Sequence, residues 1–150
     1  MSSHVAFRSA TEHDSPAIKR YVEQLYASDP GQEPVQPDFA RTFNEFQRHA
    51  DKGRVVAFEM DNRIIGYAII VFFWSNEFGG NVLDIDEIFV DAAYRTKGVA
   101  KQFFNWLEAE FSDAVAWSLE VSAANVAATE LCHRADFKPS RNQHLVKRLR

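Results

Sequence analysis

Between Val82 and Lys101 the chain reads VLDIDEIFVDAAYRTKGVAK, and this stretch constrains the fold more than any other. Val82 to Val90 reads as a strand in which Asp84, Asp86 and Glu87 stand among apolar residues. A short basic turn follows. From Gly98 to Phe111 the residues Val99, Phe103, Trp106 and Leu107 recur at helical spacing, and Ala116 to Val121 reads as a strand again. A strand, helix and strand in that order need a crossover, so the two strands lie parallel in one sheet.

The rest of the chain supplies mainly antiparallel partners. Val5 to Arg8 is a short first strand. Asp14 or Ser15 caps a helix that has Pro16 in its first turn and Ile18, Tyr21, Val22 and Leu25 on one stripe. A second helix begins at Asp38, carries Phe39, Phe43 and Phe46, and ends at Lys52–Gly53. Arg54 to Met60 and Arg63 to Trp74 form a hairpin around Asp61–Asn62, and Ser75 to Asn81 turns the chain into the Val82 strand. Val126 to Ala135 is a further helix and His144 to Leu149 a last strand. The expectation is one domain over residues 1–150, of class α+β, with a mixed, mostly antiparallel sheet of six to seven strands flanked by helices. Ala27 to Pro37 (ASDPGQEPVQP) reads as a long loop of the kind that often serves function.

Composition narrows the classes. With 46% hydrophobic and 25% charged residues, 150 residues can bury a core, which excludes disorder as the main state. The longest apolar stretch, Tyr67 to Trp74, has a strand's length and not a membrane span's. The opening MSSHVAFRSATEHD lacks the pattern of a signal peptide, so a cytoplasmic protein is expected. One cysteine, Cys132, forms no internal disulfide and builds no cysteine zinc cluster. The histidines at 4, 13, 49, 133 and 144 show no metal-ligand spacing, and no metal is expected. A net charge of −4 argues against nucleic acid as partner and suits a small cationic substrate.

Arg95, Thr96, Lys97, Gly98, Val99 and Ala100 form R-x-x-G-x-A where the strand gives way to the helix. Backbone N–H groups there point outward without helical partners, the helix dipole adds positive charge, and Gly98 lets a guest come close. A pyrophosphate fits such a turn. A lone glycine at a helix start with basic neighbours is common, however, and the motif is neither a P-loop nor a G-x-G-x-x-G fingerprint.

The segment resembles motif A of the GNAT superfamily, the acetyl-CoA-dependent N-acetyltransferases, whose strand is followed by Q/R-x-x-G-x-G/A. The element order is similar as well, and LEVSAANVAATELCHRADF (Leu119 to Phe137) resembles the family's motif B. IDEIFVDAAYRTKGVAK, preceded by VFFWSNEFGG, looks most like the diamine (spermidine/spermine) and thialysine acetyltransferase branch. The resemblance implies acetyl-CoA as co-substrate. It implies that Arg95, Thr96, Lys97, Gly98, Val99, Ala100 and Lys101 wrap the pyrophosphate. Ile88, Phe89 and Val90 then line the cofactor, with Phe89 and Val90 pairing by backbone with the pantetheine arm and an N–H near Val90 receiving the thioester carbonyl. Asn125 contacts pantetheine or positions the fifth strand, and the fourth and fifth strands splay apart. Family members are often dimers, so a homodimer is an expectation of the resemblance alone.

Strict alternation puts Asp84, Asp86, Ile88 and Val90 on one face and Ile85, Glu87 and Phe89 on the other, unless a bulge intervenes. Crowded carboxylates suit an amine substrate. A lysine-like amine has a pKa of about 10 and must lose a proton before it attacks a thioester. The blander reading is a solvated strand face. By resemblance Asp86 is the first choice of base, with Glu87 second or an anchor for the substrate's ammonium. Cys132 stands where many members have a Tyr that protonates the departing thiolate; a cysteine can give a proton, though a buried inert cysteine is commoner. Asp136 replaces the family's turn glycine. Phe72, Phe73, Trp74 and Phe78 are expected in the core, or else as a wall for an aliphatic chain or a dimer contact.

The expected activity is transfer of an acetyl group to a primary amine of a polyamine, diamine or basic amino-acid-like substrate. The alternatives are a protein, peptide or aminoglycoside acceptor, or a non-catalytic acyl-CoA-binding regulatory module.

Overall fold

The computed structural model describes residues 4–28, 36–122 and 124–150, so most of the Ala27–Pro37 stretch lies outside the described residues. Its strands are β1 (Ala6–Ser9), β2 (Gly53–Met60), β3 (Arg63–Ser75), β4 (Gly80–Val90) and β5 (Ala116–Leu119). Its helices are α1 (Ser15–Ser28), α2 (Phe39–Arg48), α3 (Val99–Glu110) and α4 (Val126–Arg134). The strands lie in chain order, antiparallel except for the parallel β4–β5 pair across the α3 crossover. Among the described residues no helix is long and apolar enough to cross a membrane.

Each sheet face takes its own helices because side chains alternate along the strands. Val55, Ala57, Tyr67, Ile69 and Phe89 face α1 and α2, meeting Ile18, Val22, Phe39 and Phe43. Val56, Phe58, Ala68, Ile70, Leu83 and Ile85 face α3, meeting Val99, Phe103, Phe104 and Leu107. Each of those α3 side chains gains roughly 2 kcal/mol by leaving water. The Phe58 ring lies 5.0 Å from Phe7 and 4.9 Å from Phe103, tying β1, β2 and α3 together. Gly66 is obligatory: a Cβ there would stand 2.3 Å from the Phe89 carbonyl oxygen.

Several expectations are corrected. The sheet has five strands among the described residues, not six to seven. Residues 144–149 have a strand-like pattern but form no strand, and Leu145, Val146 and Leu149 are exposed. A strand needs a partner for its backbone groups, and this segment does not join β5. The α1 entry differs too. Asp14 closes a 3-10 turn (Glu12–Asp14), where it accepts from the Thr11 N–H at 2.7 Å and pairs with Arg8.

The aromatic run is largely outside the core. Phe73, Trp74 and Phe78 are exposed, while Phe72 packs on Phe111 with ring centroids 5.3 Å apart. β3 outruns β2, whose pairing ends at Gly53↔Val71, so the end of β3 has only β4 beside it.

Candidate active site

The site grows out of one irregularity. Ile69 pairs with Glu87 and Ile70 with Ile85, leaving Asp86 as an extra residue, a bulge in β4. A bulge bends its strand and reverses the side-chain alternation beyond it. Ile85, Ile88 and Val90 therefore share the α3 face, whereas Glu87 and Phe89 point toward α1 and α2. This corrects the strict alternation, which had separated Ile85 from Ile88 and Val90.

The bulge also marks where two strands part. The parallel rungs run from Val82↔Ala116 to Ile85↔Leu119 and stop there, immediately before Asp86. Ser118 Oγ donates to Asp84 Oδ1 at 2.7 Å across the next-to-last rung. Beyond it β4 continues to Val90 without β5. The Asp91 N–H donates to the Ile65 carbonyl, so by antiparallel alternation Phe89 also turns its backbone to β3. Ile88 and Val90 then present theirs to the open side. Arg95 Nε donates to the Val90 carbonyl at 2.8 Å, leaving the Val90 N–H available.

The basic turn follows directly. Thr96 and Gly98 have φ of 66° and 77°, so successive N–H groups turn inward as a concave row. Gly98 is the N-cap of α3, with no side-chain cap, and a Cβ built on it would meet nothing within 4 Å. Among the described residues, no hydrogen bond takes up the N–H groups from Arg95 to Lys101, whose first successor, Gln102, donates to Gly98. Val99 is buried and fixes the helix, while Ala100 is half-buried and Lys101 exposed. These features fit a pyrophosphate. The Arg95 guanidinium, in contrast, sits 4.9 Å over the Phe89 ring, and Lys97 Nζ lies 5.6 Å over Tyr94.

The carboxylates divide by environment. Asp86 is exposed at the open edge of β4, yet its carboxyl is pushed up to about 6, first by the protein mass around it and then by repulsion from Glu87, Asp84 and Glu120. Glu87 is held on both oxygens: Tyr67 Oη donates to Oε1 and Tyr26 Oη to Oε2, each at 2.8 Å. Burial and that carboxylate raise both phenols above their ordinary value. Asp91 belongs to the scaffold. It accepts from the Ala93 N–H at 2.9 Å and the Tyr21 hydroxyl at 2.8 Å, and these bonds hold its carboxyl below the usual range.

Two predicted residues lie elsewhere in the architecture. Asn125 caps α4, accepting from the Ala128 N–H at 3.1 Å. Cys132 is buried, and burial pushes its thiol up. It lines a groove of about 1360 Å³ with Trp117, Leu119 and Phe137, to which neither Asp86, Glu87 nor the 95–101 turn contributes. The groove brings together neither the 95–101 turn nor the paired carboxylates, which lie instead at the β4 opening. Sequence reasoning missed Tyr26 and Tyr67: Tyr67 sits in an apolar run and Tyr26 one turn beyond Val22, and neither position signals that its hydroxyl meets a carboxylate.

Residues 19–137 match the acetyltransferase (GNAT) family model. No curated protein matches the chain. Among solved structures, a possible acetyltransferase from Clostridium difficile 630 aligns with a TM-score of 0.80 at 19% identity, covering 97% of this chain and 99% of that one. An aminoglycoside N-acetyltransferase in complex with CoA aligns at 0.76 and 19% identity, covering 99% and 97%. A ribosomal-protein-alanine N-acetyltransferase from Brucella melitensis biovar Abortus 2308 aligns at 0.76 and 14% identity, covering 95% and 98%.

Proposed function

The chain belongs to the acetyltransferase (GNAT) family, whose members use acetyl-CoA, and on that premise we propose that it acetylates a primary amine of a small cationic substrate such as a polyamine, a diamine or a basic amino-acid-like amine. The observation that carries the reading is the bulge. It sets two carboxylates with different environments, Asp86 and Glu87, where β4 leaves β5, on the strand that leads through the basic turn to the open N-terminus of α3.

In this reading the 95–101 turn binds the pyrophosphate through backbone N–H groups, with Lys97 and Lys101 adding charge. The free N–H of Val90 faces the thioester carbonyl and stabilises the charge that grows on its oxygen. Ile88 and Val90 hold the pantetheine arm along the open edge, as an added strand would be held, and Phe89 supports them from the core. Glu87 anchors the ammonium of the substrate. Asp86 takes a proton from the amine, directly or through one water, and the freed nitrogen attacks the acetyl carbon. The tetrahedral intermediate collapses with loss of the CoA thiolate; the extra proton on the attacking nitrogen passes to solvent, and the thiolate takes a proton from solvent in turn. Cys132 and Asn125 serve packing and capping.

The test is CoA thiol release from acetyl-CoA against polyamines, lysine analogues, aminoglycosides and short peptides, with an Asp86→Asn Glu87→Gln double variant as control. Turnover on cationic small amines, lost in the control, supports the reading. Turnover confined to peptides overturns the substrate class. Equal turnover by the control overturns the roles of both carboxylates.

A further inference from the structure

We infer that Tyr67 and Tyr26 are positioning residues that fix Glu87 as the anchor for the substrate's positive charge. The inference rests on the proposed amine acetylation, and it explains why two adjacent carboxylates would do different work.

Glu87 is gripped from two elements. Tyr67 reaches it from β3 and Tyr26 from α1, one hydroxyl on each carboxylate oxygen. An ionised carboxylate only accepts, and it satisfies both phenols at once. With one phenol on each oxygen, the carboxylate is held against rotation from two directions. Tyr67 is fully buried, so its hydroxyl has no water to turn to. The result is a carboxylate held at a fixed place, and Glu87 is only half-buried, so a substrate can reach it. Asp86 has neither phenol. It sits on the bulge among like charges and is poised to accept a proton, not to hold a cation. Environments that separate two carboxyl groups assign them different roles.

The packing supports the same conclusion. Tyr67 lies in the α1/α2 core with its ring centroid 6.5 Å from Phe89. An all-apolar core would take Phe at this position with no loss of volume. The hydroxyl is therefore explained by Glu87, and Glu87's direction by the hydroxyls.

The test compares Tyr67→Phe, Tyr26→Phe, the double variant and Glu87→Gln with the unaltered protein. Acceptors are the best cationic amine of the panel and n-butylamine, which has no second charge. We expect the KM of the cationic amine to rise about 5-fold in each single tyrosine variant and more than about 10-fold in the double. The kcat stays within about 2-fold, and the KM values of acetyl-CoA and of n-butylamine do not move. A purely structural role would instead raise the KM of acetyl-CoA, or lower kcat for both amines, and that result overturns the inference. A rise in Glu87→Gln with none in the tyrosine variants overturns the positioning role alone. No rise in Glu87→Gln, or no turnover of any cationic amine, overturns the anchor reading and the inference with it. Should Tyr67→Phe fail to fold, Tyr26→Phe, half-buried near the end of α1, carries the same test.

Discussion

Replacing Asp86 by Asn should remove activity and raise stability at neutral pH. The carboxyl is pushed up to about 6, against an ordinary 3.8. A base at 6 is about one-tenth ionised at pH 5, half at pH 6 and nine-tenths at pH 7. The kcat of the unaltered protein should therefore fall about 10-fold from pH 7 to pH 5. An ordinary carboxylate would lose less than about a tenth of its activity over that range. Asp86→Asn should lower kcat by about 100-fold or more and abolish the limb. The stability sign follows from the same shift. A group whose folded pKa is raised contributes stability below its unfolded pKa and loses it as pH rises through the folded value. Asp86 thus favours the fold below about pH 4 and opposes it above about pH 6, but its side chain is exposed and solvent screens the penalty, so Asp86→Asn should raise Tm only slightly at pH 7 and not at pH 4. Quenched reactions with the acetylated amine measured by mass spectrometry, from pH 4.5 to 8, read the first effect; thermal melts read the second. An acid limb near pH 4, a limb near 6 that survives in Asp86→Asn, or a Tm that falls at pH 7 would refute the argument.

Asp14→Asn should cost about 2 kcal/mol at pH 7, because buried Asp14 makes two bonds to Arg8, at 2.7 and 3.0 Å, while Arg8 keeps Glu59 and some water. Arg8 first, then the Thr11 N–H, holds the Asp14 carboxyl low, so the loss should shrink below about pH 4 in denaturant titrations; a pH-independent difference would contradict this. Gly98→Ala adds a Cβ that touches nothing but must adopt a φ of 77°, so we expect about 1 kcal/mol of destabilisation by melting together with a raised KM for acetyl-CoA. Gly66→Ala puts a Cβ 2.3 Å from the Phe89 carbonyl oxygen and should cost about 3 kcal/mol or more, a Tm drop of at least about 6 °C. Deleting residues 144–150 should move Tm by less than about 2 °C, because Leu145, Val146 and Leu149 are exposed and, among the described residues, His144 pairs with an exposed Glu120, at 3.4 Å.

What could be read from sequence was what periodicity and local chemistry encode. The β-α-β crossover follows from the periodicity of residues 82–121, the hairpins from the turn residues at 61–62 and 75–81, the basic turn from VLDIDEIFVDAAYRTKGVAK, and the Gly98 conformation from the need for an uncapped, close approach. Pairing is a different matter. Residues 144–149 have the pattern of a strand, but pattern reports propensity and not whether an edge is engaged. Phe73, Trp74 and Phe78 are hydrophobic enough for a core, but β3 carries Phe73 and Trp74 past the end of β2, and strand length relative to a neighbour is a property of the assembled sheet.

The bulge shows the limit most clearly, because nothing in I-D-E-I announces it. An extra residue is defined only against the partner strand, here by Ile69 and Ile70 on β3. Once it is present, the three properties of the site share one cause. β4 bends away immediately after its last rung with β5, which opens the edge at Ile88 and Val90. Alternation reverses, which sends Glu87 toward α1 and between two tyrosines instead of onto the α3 face. Asp86, left over in the register, stays at the opening with its charge uncompensated. Without the bulge the same sequence would leave Glu87 and Phe89 on the face of Ile85, burying a carboxylate against α3. Adjacent carboxylates are costly in a regular strand packed on both faces, so the acidic pattern is tolerable only in the irregular one, and the irregularity that removes the burial penalty is also what creates the opening.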